Sequence, residues 1–315
     1  MPKFKIRHIT KYTYENTVRD SANQIMLYPI RDQYQDVLDQ HIIISGNPVI
    51  SVHRDYYGNE VGTFTHAQPH KQLDIDSRVT VQTSERPLPE DSVDSDIQWQ
   101  EYENLRYQPD FIDFLKQERF DVLSEVERVI QTGRDESLTP LKASVKLCEY
   151  IYNNFSYQKG ITTIETTVDE IWKLRSGVCQ DFAHILLVML RLLGMPARYV
   201  SGYVCPSRDG MRGEGATHAW VEVYIPYYGW LGLDPTNNCV VNDTHVRLAV
   251  GRNFSDCSPV KGTYRGTSDH TLEVAVTVVI ENGRTIAADK EIQPELVASK
   301  SNNSFRRFQE MQMQQ

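Results

Sequence analysis

No stretch of this 315-residue chain is apolar for long enough to cross a bilayer. Its first residues, Met1-Pro2-Lys3-Phe4-Lys5-Ile6-Arg7-His8, interrupt every short apolar run with a charge or polar group. A membrane-spanning helix needs about 20 apolar residues, and a signal peptide needs an unbroken apolar core. The expectation is therefore a cytoplasmic protein without membrane association. Positive charge is in deficit too: 33 Lys and Arg stand against 42 Asp and Glu, a net charge of −9, with no basic stripe. Neutralising phosphates requires clustered Lys and Arg, so no nucleic-acid partner is expected. Cysteine is scarce, at five: Cys148, Cys179, Cys205, Cys239 and Cys257. An odd, widely spaced set with no leader excludes a disulfide framework. There is no CxxC pair and no histidine at finger or HExxH spacing, so neither a metal site nor a cofactor is expected. Internal repeats are absent.

What is present fits a soluble globular protein, with 40% hydrophobic and 24% charged residues. The length points to roughly two domains. Residues 1–85 read as all-β. Phe4 and Ile6 alternate with charges, and Ile75, Val79 and Val81 share one parity, as half-buried strands do. Gly58-Asn59 between two strand-like runs marks a hairpin turn. A small antiparallel sandwich is the expected shape. Residues 86–136 form a linker and helical connector, acidic and proline-bearing at first, then helical over Pro109–Gln131. Thr139-Pro140 is a good helix start, and Leu141, Val145, Cys148 and Tyr152 follow on one face. Phe155-Ser156-Tyr157 is a short strand candidate. Residues 178–193 form a helix apolar nearly all round, hence buried, stopped by Gly194 and Pro196. Strands follow at Ala197–Val204, Thr217–Ile225 and Trp230–Leu233, with a last one at Thr271–Ile280 expected to close the same unit. This is an α+β core over 137–285, and 286–315 is a polar, Gln-rich tail.

Chemistry gathers on this core. Cys179 opens the buried helix after Ser176-Gly177-Val178. A helix N-terminus offers unpaired N–H groups and partial positive charge, which favour a thiolate and can hold an oxyanion. A buried core cysteine is the plain alternative. His218 lies in Thr217-His218-Ala219-Trp220 on a strand, on the same side as Trp220, where a base would be sheltered but reachable. A lone histidine is more often a satisfied core or surface residue. Asp234 ends the next strand before Pro235, where it could orient an imidazole if the two strands pair; Asp before Pro is also a common turn starter. Order and placement together give a nucleophile, a base and an orienter.

Four segments carry a resemblance: Gly177-Val178-Cys179-Gln180-Asp181-Phe182-Ala183-His184, Gly194-Met195-Pro196-Ala197-Arg198-Tyr199-Val200-Ser201-Gly202-Tyr203, Thr217-His218-Ala219-Trp220-Val221-Glu222-Val223, and Gly229-Trp230 with Asp234-Pro235-Thr236-Asn237. They resemble the transglutaminase-like superfamily, with its papain-like core. The all-β N-terminal region and Arg252-Asn253-Phe254-Ser255-Asp256 are similar to the bacterial group that carries its own N-terminal domain. The resemblance implies a helix packed on an antiparallel sheet, with Cys179 as nucleophile, His218 as general base and acid, and Asp234 as orienter. It also implies a peptide or protein substrate and places Asp256 at the cleft. The expected reaction is amide or peptide hydrolysis through a thioester. Transamidation by a transglutaminase and a non-catalytic peptide-binding module are the alternatives.

Other residues were weighed beside these. Tyr157 could supply a second oxyanion donor or simply pack. Asp181 suits the first helical turn, His184 reads as structural, and the loop Ser207–Gly215 reads as a rim beside His218.

Overall fold

The computed structural model describes residues 1–117, 120–132, 137–163, 166–205, 211–212, 216–266, 268–281 and 295–297. Most of the loop 207–215, and the tail from 286 apart from one short strand, lie outside the described residues. Among those described, no helix is long and apolar enough to cross a membrane.

The all-β expectation for the N-terminal region holds. Strands β1 (Lys3–Ile25), β2 (Gln35–Ile44), β3 (Ser51–Arg54), β4 (Glu60–His66) and β5 (His70–Thr83) pair antiparallel. Phe4, Ile6, Ile75, Val79 and Val81 are buried, as their alternation requires. The first half of β1 pairs with β5 and the last part with β4. Its register breaks between Thr13 and Val18, and Asp20 takes a left-handed φ of 51°. A strand that breaks register in this way can pass from one sheet into a second. The β3–β4 hairpin turns at Asp55–Asn59, where the Asp55 carboxylate accepts from the N–H groups of Tyr57 and Asn59.

The connector departs from expectation in two ways. Helix α1 (Ser95–Leu105) occupies part of the expected linker. An acidic residue caps it: the Asp94 carboxylate accepts from Asp96 N–H, while Gln98, Tyr102 and Leu105 turn inward. The single helix expected over Pro109–Gln131 is two, α2 (Pro109–Leu115) and α3 (Leu123–Thr132). The break begins at Lys116, whose backbone is extended.

Helix α4 (Pro140–Asn154) starts where expected, with Thr139 Oγ1 accepting from Lys142 N–H. Its buried face is different: Pro140, Ser144, Cys148 and Ile151 turn inward and Val145 is exposed. The Ser144 hydroxyl donates to Leu141 O, so a small residue that counts as polar in a sequence pattern is buried at little cost. Strand β6 (Ser156–Tyr157) comes next. Helix α5 (Val168–Leu174) was not expected, although Thr167 and Glu170 form a full capping box there. Strand β7 (Ser176–Gly177) pairs parallel with β6, Tyr157 lying opposite Gly177.

Helix α6 (Cys179–Leu192) matches the predicted buried helix. Phe182, Ile185, Leu186, Leu187, Met189 and Leu190 are almost fully buried. Each such side chain contributes roughly 1.5–3 kcal/mol relative to an exposed one, so Cys179 is mounted on a firmly anchored element. The helix packs on an antiparallel sheet of β8 (Ala197–Val204), β9 (Thr217–Ile225), β10 (Gly229–Asp234), β11 (Cys239–Val240) and β12 (His245–Gly251), in the order β11-β10-β9-β8-β12. Strand β12 was not anticipated. Every residue of it is buried, so it shows no alternation.

After α7 (Phe254–Cys257), the strands β13 (Val260–Arg265) and β14 (His270–Ile280) both pair with β1, and β15 (Glu295–Val297) adds to β14. The last long strand was expected to close the catalytic core; it joins the N-terminal sheet instead, Ile6 facing Val278. Alternation reveals a half-buried strand and not which sheet will take it.

Candidate active site

The geometry begins at Gly177. A Cβ there would run into the Asp181 carboxylate, which accepts from Val178 N–H at 2.8 Å and from the Thr162 hydroxyl at 2.7 Å. Asp181 is therefore more than an acid in a first turn: it is buried and ties the chain entering the helix to the helix itself. Burial pushes its pKa up, and the two donors partly offset that. This clasp holds Cys179 at the first position of α6, half-exposed, where Asp181 and Phe182 N–H already donate to Val178 O and the N–H groups of Cys179 and Gln180 precede the first helical bond.

Strand β9 brings His218. Its register partner on β8 is Gly202, where a Cβ would meet Val246 O and the Trp220 ring, so only glycine lets the strands approach beside the histidine. Strands β9 and β10 pair as the sequence requires, Leu231 opposite Val223 and Leu233 opposite Val221. Asp234, at the end of β10, meets His218. The His218 Nε2 to Asp234 Oδ2 distance is 2.9 Å, and neither side chain has any exposed surface. The imidazole is more deeply sheltered than the sequence implied. Burial works against a charged ring, but the Asp234 carboxylate and the Cys179 sulfur beside it more than offset this and hold His218 up at about 10. Nδ1 is buried without a hydrogen-bond partner; Cys179 acts on the ring beside Asp234, and the Trp220 ring lies alongside at 6.3 Å between centroids.

The carboxylate is itself held. Asp234 Oδ1 accepts from Thr236 N–H at 2.9 Å, and Oδ2 accepts from Asn237 Nδ2 at 2.7 Å. Burial would raise its pKa; His218 and His245 outweigh that and keep it far below the usual carboxylate range. His245, at the start of β12, was missed in the sequence; its Nε2 lies 3.4 Å from Asp234 Oδ2 and its ring is buried. Around its other ring nitrogen, Nδ1, lie Asn242 N–H at 3.5 Å, the Thr244 hydroxyl at 3.4 Å and Asn242 Oδ1 at 3.3 Å, so either tautomer finds a partner there. Burial lowers its pKa, so the ring is neutral.

The remaining candidates have clear places. Tyr157 sits on β6 opposite Gly177, two residues from Cys179, with its ring edge-on to Phe182. His184 is half-buried beside Tyr199, accepts from Phe254 N–H at 3.3 Å and is pushed down to about 4 by desolvation and Arg191, as a structural residue would be. Asp256 is engaged by Arg252 through Nε at 2.9 Å and the backbone N–H at 3.1 Å. Burial drives the thiols of Cys148 and Cys257 far up and that of Cys239 to about 12.

Known proteins resemble this chain. Residues 127–235 match the family model described as the transglutaminase-like superfamily, and residues 4–82 match the bacterial transglutaminase-like N-terminal region. The uncharacterized protein ML0607 of Mycobacterium leprae is 32% identical over 286 residues, covering 88% of this chain and 99% of that protein. A protein-glutamine gamma-glutamyltransferase of Pseudomonas aeruginosa is 38% identical over 73 residues, 22% of this chain and 11% of that protein. The crystal structure of a "Putative Cysteine Protease" from Cytophaga hutchinsonii shares the fold, with a TM-score of 0.70 over 90% of this chain and 92% of that one, at 22% identity. With a relative alike over nearly its whole length and both family regions present in order, this chain belongs to the transglutaminase-like superfamily, in the group that carries the bacterial N-terminal region.

Proposed function

We propose that this protein is a cysteine-dependent amide or peptide hydrolase, with Cys179 as nucleophile, His218 as general base and acid, and Asp234 as the residue that orients it. One observation carries this reading. His218 is bound through Nε2 to a buried carboxylate while Nδ1, the nitrogen left for proton transfer, has no other partner and Cys179 adjoins the ring. Nδ1 takes the thiol proton, and the sulfur attacks the carbonyl carbon of a peptide or protein substrate. The resulting oxyanion is received by the first-turn N–H groups of α6 and by the Tyr157 hydroxyl. Nδ1–H then gives its proton to the leaving amine as the C–N bond breaks, which leaves a thioester. Water, losing a proton to the same nitrogen, attacks the thioester and frees the acid, and Cys179 recovers its proton. None of the five cysteines is in a disulfide, in keeping with a reducing, cytoplasmic setting.

The likeness to a protein-glutamine gamma-glutamyltransferase favours a second reading, in which an amine and not water resolves the thioester. Incorporation of a fluorescent amine into a glutamine-bearing protein, dependent on Cys179, would select it over hydrolysis.

The first test needs no substrate. Iodoacetamide should label Cys179 ahead of the other four cysteines, as located by mass spectrometry, and His218→Ala should slow that labelling at least tenfold. Labelling of Cys179 no faster than the rest, and unchanged in the variant, would overturn the reading and leave a peptide-binding scaffold.

A further inference from the structure

Behind the triad lies a second cluster that the proposed chemistry does not use. Cys239 on β11 is the register partner of Asp234, and His245 approaches the same carboxylate from the start of β12. The Cys239 sulfur, an Asp234 oxygen and a His245 ring nitrogen all lie within 4.8 Å of one another. We propose that these three residues form a binding site for a borderline-soft divalent cation such as Zn2+, and that occupancy switches the triad off by withdrawing Asp234 from His218.

The donor set is one thiolate, one imidazole and one carboxylate, the mixture that Zn2+ takes in tetrahedral sites, with water in the fourth position. Atoms bound at about 2.0–2.3 Å around a tetrahedral ion stand roughly 3.3–3.7 Å apart. His245 Nε2 and Asp234 Oδ2, at 3.4 Å, already have that spacing. The remaining closure falls to Cys239, whose sulfur lies within 4.8 Å of both and whose half-exposed side chain also gives the ion its way in. Binding requires His245 to carry its proton on Nδ1. Asn242 Oδ1, 3.3 Å away, is placed to accept it, the outer hydrogen bond that a metal-bound imidazole needs. Cys239 releases its thiol proton to solvent as the S–metal bond forms.

Capture is antagonistic to the proposed catalysis because one oxygen serves both. Oδ2 receives His218 and Asn237 Nδ2 and also faces His245, while Oδ1 stays with Thr236 N–H. A cation on Oδ2 competes for the electron density that steadies imidazolium. The spacing Asp234, Cys239, His245 matches no common ligand motif, because the three residues come from a strand end, a two-residue bridge and the next strand.

Binding stands apart from the proposed reaction and is measured first, in Cys179→Ala, which removes the other half-exposed thiol, that of the nucleophile. Titration with Co2+ should give one equivalent bound with a thiolate-to-cobalt charge-transfer band. That band should vanish in Cys179→Ala/Cys239→Ser, and affinity should fall at least tenfold in Cys179→Ala/His245→Gln, both checked for an unchanged melting temperature. No band in Cys179→Ala, or one that survives Cys239→Ser, would overturn the site. The inhibitory role rests on the proposed triad and has its own readout, the rate of Cys179 labelling by iodoacetamide. Zn2+ should slow it, and Cys239→Ser should raise the Zn2+ concentration needed at least tenfold. An unchanged requirement would place the inhibiting ion on Cys179 and His218 and overturn the switch.

Discussion

His218 and Asp234 meet at 2.9 Å with both side chains wholly removed from water. In that setting the carboxylate does two things at once: it fixes which nitrogen carries the proton and it supports positive charge on the ring. Asp234→Asn keeps size and hydrogen bonding but supplies no charge, and its amide can face Nε2 with a donor. We expect kcat/KM on any peptide substrate to fall by about 10³–10⁴-fold with the fold retained, in line with the loss of an orienting carboxylate. A loss below about tenfold would remove Asp234 from the machinery.

The same pair links protonation to stability. His218 in the folded protein is held at about 10, above its ordinary value of 6.5. A raised value means that the stabilisation is full below about 6.5 and is lost as pH climbs towards the folded value. The measurement belongs in Cys179→Ala, which removes the sulfur's share in holding the ring up. There only Asp234 remains to raise the ring, and the upper edge of the window falls below about 10. Urea denaturation of that variant should show stability declining from about pH 6.5 upward. Adding Asp234→Asn should flatten the slope; an equal slope in both proteins would contradict the linkage.

Much of this site was legible in the sequence because each residue sits where a strong local pattern ends. Cys179 begins the most apolar helix, His218 begins an alternating strand, and Asp234 precedes the proline that ends the next one. Two supporting residues were hidden for a physical reason. Asp181 looks like any first-turn acid until the structure shows it pressed against Gly177 and bound to Val178 and Thr162. His245 opens a strand buried on both faces, which has no period-two signature, and its tie to Asp234 crosses sheet positions that spacing along the chain does not encode. The same limit explains β14: its pattern announced a strand, and its partner, β1, lies at the other end of the chain.

Glu222 offers a test of how the sheet is joined to the N-terminal region. It is fully buried on the same side of β9 as His218 and Trp220, bound by Arg198 at 2.6 Å and by Arg247 at 3.2 Å. Arg247 in turn pairs with Asp32 from the loop before β2, and Arg86 reaches Asp32 at 3.3 Å. Burial would raise the Glu222 pKa, but the arginines hold it down at about 2. Its contribution to stability is therefore present above about 4.5 and lost as pH falls through about 2. Removing one partner of a buried ion pair strands the other, typically at a cost of about 3–5 kcal/mol. Glu222→Gln should lower unfolding stability at pH 7 by that order, read as a shift in the urea midpoint, while a loss under about 1 kcal/mol would mean that the arginines find other partners.

Tyr157 separates packing from chemistry most cleanly. It stands opposite Gly177 on β6, next to the turn that delivers Cys179, with its ring edge against Phe182. Phenylalanine preserves that ring contact and removes only the hydroxyl. If the hydroxyl helps hold the oxyanion, its loss acts on the transition state and not on the bound substrate. The expected outcome of Tyr157→Phe is then a fall in kcat of about 10²-fold with KM nearly unchanged, the scale seen when one oxyanion donor is removed. Urea stability should stay close to that of the parent, since the buried aromatic surface is the same. A kcat within about twofold of the parent would make Tyr157 a packed residue, and the oxyanion would then be held by the first-turn N–H groups of α6 alone.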